Sequence, residues 1–185
     1  MREAVPASNT RPLKVWPQDE SRWGLRTILR RRITLRGVKP VQTTQHQYEN
    51  CWLYGCVAPL SGERFFLILP HLNAANMQVF LNHFAAAHPD TFNLLLLDQS
   101  GAHVAKCLQI PTNVGLVFFE PACPELNPAE RVWEDLRAKL ANRCYAHLDC
   151  LEDELCAQLD CYTDAQMQSL TCYPYLSDAI NAVCS

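Results

Sequence analysis

The chain has 185 residues, 49% of them hydrophobic, with a net charge of -3, which suits one ordinary domain around an apolar core. No stretch approaches the roughly 20 uncharged apolar residues of a membrane span, and Met1 to Asn9 lacks the basic-then-apolar order of a secretory signal, so the sequence predicts a soluble cytoplasmic protein. The ten cysteines sit in apolar runs such as NCWLYGC with no C-x-x-C pair, which argues against a structural zinc and predicts reduced, buried thiols in place of a disulfide scaffold.

Residues 1–12 have no periodicity and read as a disordered start or linker, with 13–185 forming a single domain. Charge is uneven along the chain: residues 1–47 carry ten of the sixteen Lys and Arg against three acids, and the remainder carries six bases against sixteen acids. A cationic segment beside an acidic body suits a phosphate-backbone binder with a carboxylate site, although basic loops without a ligand are common. The run LKVW (13–16) predicts a strand that ends near Asp19. The stretch RRRITLRG reads as a polar loop or hairpin, and YENCWLYGCVAPL, the turn Ser61-Gly62-Glu63 and RFFLILP read as a β pair.

After Pro70 the period changes. Met77, Phe80, Leu81 and Phe84 repeat at helical spacing behind Asn73, a good N-cap. NLLLLD is apolar on consecutive positions, the mark of a strand covered on both faces, and it ends in Asp98. A short helix is expected over His103 to Ile110, then a strand in GLVFFE. Asn127 and Pro128 open a further helix carrying Val132, Trp133, Leu136 and Leu140, and more helices follow near 148–160, 163–169 and 176–183. Strands first, then strands interleaved with helices, predict an α/β domain with a mixed five-stranded sheet flanked by helices.

Two aspartates at the ends of apolar strands, Asp19 and Asp98, are candidates for a carboxylate cluster. Clustered carboxylates repel unless a cation sits between them, and hard ions such as Mg2+ take oxygen ligands. Aspartate also ends strands and begins turns without further function. Glu130, three residues after Asn127, has its own structural explanation as a capping-box glutamate. Arg22, Arg30, Arg31 and Arg32 are candidates for contacting DNA phosphates, against a solvated loop. His103 is a candidate for contacting a phosphate or orienting a ligand. Trp52 and Trp133 read as core residues.

Three segments, QDESRWG (18–24), LLLLDQSGAH (94–103) and PELNPAERVWEDLR (124–137), resemble in order the signature blocks of DDE transposases, in the mariner-related branch of bacterial insertion sequences. The resemblance runs from about Leu13 to the end of the chain. It implies an RNase H-like fold with Asp19, Asp98 and Glu130 as catalytic metal ligands for Mg2+ or Mn2+, in two ions. It further implies DNA strand cleavage and strand transfer on terminal inverted repeats and target DNA. A homodimer, or pairing with a helix-turn-helix transposase subunit, and association with a bacterial nucleoid are expected with it. The chain departs from the pattern in three respects. Only 31 residues lie between Asp98 and Glu130, Cys123 precedes P-E-L-N-P, and no N-terminal helix-turn-helix region is apparent. The last point leaves an alternative, an inactive remnant or regulator that binds full-length transposase. An RNase H-fold repair nuclease would share the chemistry but not the L-N-P-A-E-R-V-W block.

Overall fold

A computed structural model describes residues 1–120 and 126–184. Five strands, β1 (Leu13–Gly24), β2 (Asn50–Val57), β3 (Arg64–Leu69), β4 (Phe92–Leu97) and β5 (Val114–Phe118), form one sheet in the order β3-β2-β1-β4-β5. β1 pairs antiparallel with β2 and parallel with β4; β2–β3 is antiparallel and β4–β5 parallel. Among the described residues five α-helices complete the fold: α1 (Ala74–Ala87), α2 (Ala129–Lys139), α3 (Leu148–Asp160), α4 (Asp164–Thr171) and α5 (Pro174–Cys184). The mixed five-stranded sheet flanked by helices is the predicted architecture.

Side-chain alternation divides the core between the two faces. Trp16, Tyr54, Leu95 and Leu97 pack with Met77, Phe80, Leu81 and Phe84 of α1. On the opposite face Trp23, Leu53 and Val57 meet Val132, Trp133 and Leu136 of α2 and Leu151, Leu155 and Leu159 of α3. Val15, Leu94 and Leu96 meet Leu176 and Ile180 of α5. All six residues of β4 are buried because helices cover both of its faces, which is why its sequence shows no alternation. Asn73 caps α1 as expected, its side chain accepting the Asn76 backbone N–H at 2.9 Å. The turn between β2 and β3 uses Gly62 at φ +77°, where an added Cβ would also lie 2.1 Å from the Asp164 carbonyl oxygen.

Three local expectations need correction. β1 does not stop near Asp19; it continues to Gly24, because β2 pairs with it as far as Gly24↔Asn50 while β4 leaves after Pro17↔Leu96. Residues 103–110 form turns and not a helix; the segment presents exposed Val104, Lys106, Cys107 and Gln109 and has no apolar stripe to dock. Of the described cysteines only Cys51 and Cys56 are buried, and Cys107, Cys144, Cys150, Cys156, Cys161 and Cys172 are exposed. In α3 the reason is geometric: Leu151, Leu155 and Leu159 take the inward stripe, and Cys150 and Cys156 fall beside it. The segment before β1 holds a 3-10 turn, Arg2–Ala4, and Met1, Ala4 and Val5 pack against the α5 cluster. Residues 25–49, read as a polar loop or hairpin, contain no regular element. No helix among the described residues is long and apolar enough to cross a membrane.

Candidate active site

The long β1 strand brings the site together because it pairs with β4 over Leu13–Pro17 and with β2, on its other side, over Gln18–Gly24. In β1 the odd positions Val15 and Trp23 face α5 and α2, and the even Trp16 faces α1. Asp19 therefore faces α2, while Gln18 and Glu20 face the other way. Continuing the parallel register two residues past Pro17↔Leu96 brings Asp19 level with Asp98, one position beyond the end of β4. Both aspartates stand where β4 parts from β1, at a crevice edge typical of sites in parallel sheets.

Asp19 is held by the helix above it. The Trp133 Nε1–H donates to Asp19 Oδ2 at 2.9 Å. Trp133 can lie this close because its partner on β2 is Gly55, which pairs with Asp19; a Cβ there would come within 2.6 Å of the Trp133 ring. Burial, then the charges of Glu130 and Glu20, push the Asp19 carboxyl from 3.8 up to about 7, against the lowering effect of the Trp133 bond. Glu130 is thus near enough to repel Asp19.

The helix start behaves differently from the capping-box expectation. Asn127 Oδ1 accepts the Ala129 N–H at 3.1 Å, and its Nδ2 donates to the Gln18 carbonyl at 2.8 Å. The N-cap of α2 is Pro128 and not the predicted Asn127, but the asparagine still braces the start of the helix and ties it to β1 beside Asp19. No hydrogen bond among the described residues joins the Glu130 carboxylate to the Asn127 N–H, and Glu130 lies exposed in the first turn. Pro124 and Glu125 of the third block, and the departure at Cys123, lie outside the described residues.

Asp98 is engaged separately. Its Oδ1 accepts the Ser100 N–H at 3.0 Å and lies 2.7 Å from His103 Nδ1. His103 Nε2 lies 2.8 Å from Glu20 Oε1, which also accepts from Gln18 Nε2 at 2.8 Å. Burial alone would lower the His103 pKa, but the hydrogen bond and charge of Glu20, backed by Asp98, push it up to about 9. The structure thus joins Asp98 with His103 and Glu20, while Asp19 is bonded to Trp133 and feels the charge of Glu130. Among the described residues no group of three or more His, Cys, Asp or Glu side chains is placed so as to hold a metal ion. His103, a candidate for touching a phosphate, is 2% exposed with both ring nitrogens taken.

The cationic candidates fall on the solvent side. Arg22 is exposed on β1, and Arg31 and Arg32 are exposed in the loop that follows. Arg30 is tied down, its guanidinium donating to the Glu134 carbonyl of α2 at 3.2 Å and its backbone N–H to Asn142 Oδ1. Sequence reasoning passed over Arg26 and Arg137. With Arg22, Trp23 and Tyr48 they line a cavity of about 290 Å3, and Arg137 donates to Ser21 Oγ at 2.7 Å. It also passed over Glu20, which shares a motif with Asp19; period-two alternation is the signal that separates the two carboxylates onto opposite faces. Trp133 is core, as expected, but its N–H faces the site.

The fold has counterparts among known proteins. The sequence profile described as DDE superfamily endonuclease matches residues 14–152. A protein of Sinorhizobium fredii, "Uncharacterized protein y4pE/y4sA", is 36% identical over 108 residues, covering 57% of this chain and 80% of its own length. The structure of a pre-cleavage Mos1 transpososome superposes with a TM-score of 0.69 at 15% identity, covering 85% of this chain and 52% of that one. A Mos1 mariner paired end complex with Mn gives 0.67 at 16% identity, with 85% and 51% covered, and the Mos1 Strand Transfer Complex 0.66 at 16%, with 85% and 50% covered. This chain spans about half the length of the Mos1 chains, and at such identities the likeness is one of fold, the RNase H-like fold. By a profile that takes in β1 through the first turn of α3, the chain belongs to the DDE superfamily endonuclease family.

Proposed function

We propose that the chain is the catalytic part of a transposase, which uses Asp19, Asp98 and Glu130 to hold Mg2+ or Mn2+ and so cuts and rejoins DNA strands at the ends of a mobile element. The observation that carries the reading is the half-buried Asp19 carboxylate with Glu130 repelling it, an arrangement that a cation between them relieves. Asp98 stands level on the next strand and keeps a 59% exposed side chain. The Mos1 structures are named for their paired transposon ends, their strand transfer and their Mn.

The donor set fits a hard divalent ion, which takes one or two carboxylates and completes its shell with water and phosphate oxygens. Such ions, when bound, supply Lewis-acid stabilisation and a nucleophile for in-line attack at a phosphodiester. The remaining tasks belong to the chain. Trp133 fixes Asp19 Oδ2, so the orientation of that carboxylate is set before any ligand arrives. Arg22, Arg31 and Arg32 offer charge to the DNA backbone, with Arg26 and Arg137 beside them.

Cleavage of labelled element-end DNA in Mn2+ tests the reading. Activity is expected in the parent chain and is expected to fall below detection in Asp98→Ala and Glu130→Ala; cleavage unchanged by both substitutions would overturn the site. A second reading, a non-catalytic regulator that pairs with a longer transposase, is favoured by the finding that no three acidic or histidine side chains among the described residues are placed to hold an ion. Absence of cleavage in every form, together with inhibition of an active transposase on mixing, would support it.

A further inference from the structure

We infer that Glu20 and His103 are positioning residues, a buried strut that fixes the Asp98 carboxylate against β1 and so sets its geometry for metal binding. The inference rests on the metal-binding reading above. It starts from the contacts of one imidazole ring. His103 Nδ1 lies 2.7 Å from Asp98 Oδ1 and Nε2 lies 2.8 Å from Glu20 Oε1. Ionised carboxylates only accept hydrogen bonds, so the ring donates at both ends and spans the gap between the loop after β4 and the α1-facing side of β1. The His103 and Glu20 side chains are 0% and 5% exposed, whereas that of Asp98 is 59% exposed. One end of the chain of contacts is therefore dry and rigid and the other is open.

The rest of the turn holds the ring in place. Ser100 donates its N–H to Asp98 Oδ1 at 3.0 Å, and the His103 N–H donates to the Ser100 carbonyl at 3.0 Å. Gln18 braces Glu20 from the same face of β1 at 2.8 Å. Asp98 Oδ1 is thereby tied twice, and Oδ2 has no hydrogen bond among the described residues, so Oδ2 is the atom left for an ion. A purely structural role does not account for the arrangement, because a buried ion pair stabilises a fold no better than apolar side chains of similar volume. Hydrogen-bonded partners behind a ligand, by contrast, orient it and raise its affinity.

The test compares Mn2+ binding with stability in the full chain. Calorimetric titration with MnCl2 reads the affinity, and thermal melting in EDTA reads the fold. The double variant Glu20→Leu, His103→Phe is expected to melt close to the parent yet bind Mn2+ about 10–100-fold more weakly. Glu20→Gln, which keeps a hydrogen-bonding partner for the ring, is expected to stay within about threefold of the parent. Parent-like Mn2+ affinity in a folded double variant would overturn the proposal. So would an affinity in Glu20→Gln as low as in the double variant, since Glu20 would then itself be a ligand. Should the double variant not fold, His103→Gln decides by the same measure: weakened Mn2+ binding supports the strut and parent-like binding refutes it. Asp98→Asn separates the two levels, because unchanged Mn2+ binding there removes the metal reading itself.

Discussion

Asp19 should weaken the metal-free protein, and removing its charge should strengthen it. Its carboxyl is raised from 3.8 to about 7, first by burial and then by Glu130 and Glu20. The folded state therefore holds a proton that the unfolded state has released across that window. The contribution of Asp19 falls as pH rises from about 4 to about 7 and is then flat, since over that window the unfolded chain binds fewer protons at this group than the folded one. A shift of about 3 units corresponds to about 4 kcal/mol at most. Asp19→Asn keeps an oxygen to accept from Trp133 Nε1 and carries no charge. We expect it to raise the unfolding free energy in EDTA by about 2–4 kcal/mol at pH 8 and by close to zero at pH 4. Urea unfolding at the two pH values measures this directly. Part of the gain is shared with Glu130, so Asp19→Asn and Glu130→Gln should combine to less than their sum. A variant no more stable than the parent at pH 8 would refute the burial-and-repulsion account of Asp19.

Three further outcomes follow from particular contacts. Trp133→Phe removes the indole N–H from the Asp19 carboxylate and should cost about 1–3 kcal/mol at pH 8, as for a hydrogen bond to a charged group, and less at pH 4, read by the same urea unfolding. Gly55→Ala introduces a Cβ 2.5 Å from the Phe66 ring and 2.6 Å from that of Trp133; differential scanning fluorimetry should show a loss of about 1–3 kcal/mol from overpacking. For the cationic loop, the double substitution of Arg31 and Arg32 by Ala should flatten the salt dependence of duplex DNA binding by about 2 in log–log slope, near 0.9 per lost phosphate contact. An unchanged slope in fluorescence anisotropy titrations would remove these arginines from the DNA interface.

The local signals that survived folding are those that depend on near neighbours in sequence. Asn73 opens α1, Gly62 makes the β2–β3 turn, and the apolar run of β4 ends at Asp98. The helical reading of residues 103–110 failed because nothing nearby in sequence shows that His103 is drawn inward by Asp98 and Glu20, leaving the residues beyond it without an apolar face. The cysteines were misjudged for a related reason. A cysteine within an apolar helix is inward or outward according to which stripe docks, and in α3 the stripe is Leu151, Leu155 and Leu159.

What the sequence determined by itself is the mixed sheet, the order of its strands, the places of Asp98 after β4 and Glu130 at the start of α2, and the resemblance that names the family. These follow from periodicity, turn chemistry and three ordered blocks, all of which are local. The tertiary structure decided which carboxylates meet. β1 runs on past Pro17 because β2 lies beside it, and the pleat then sends Asp19 to Trp133 and Glu20 to His103 on opposite faces. Neighbours in sequence become members of separate groups, because side chains in a strand alternate and only the elements packed on each face determine what they touch.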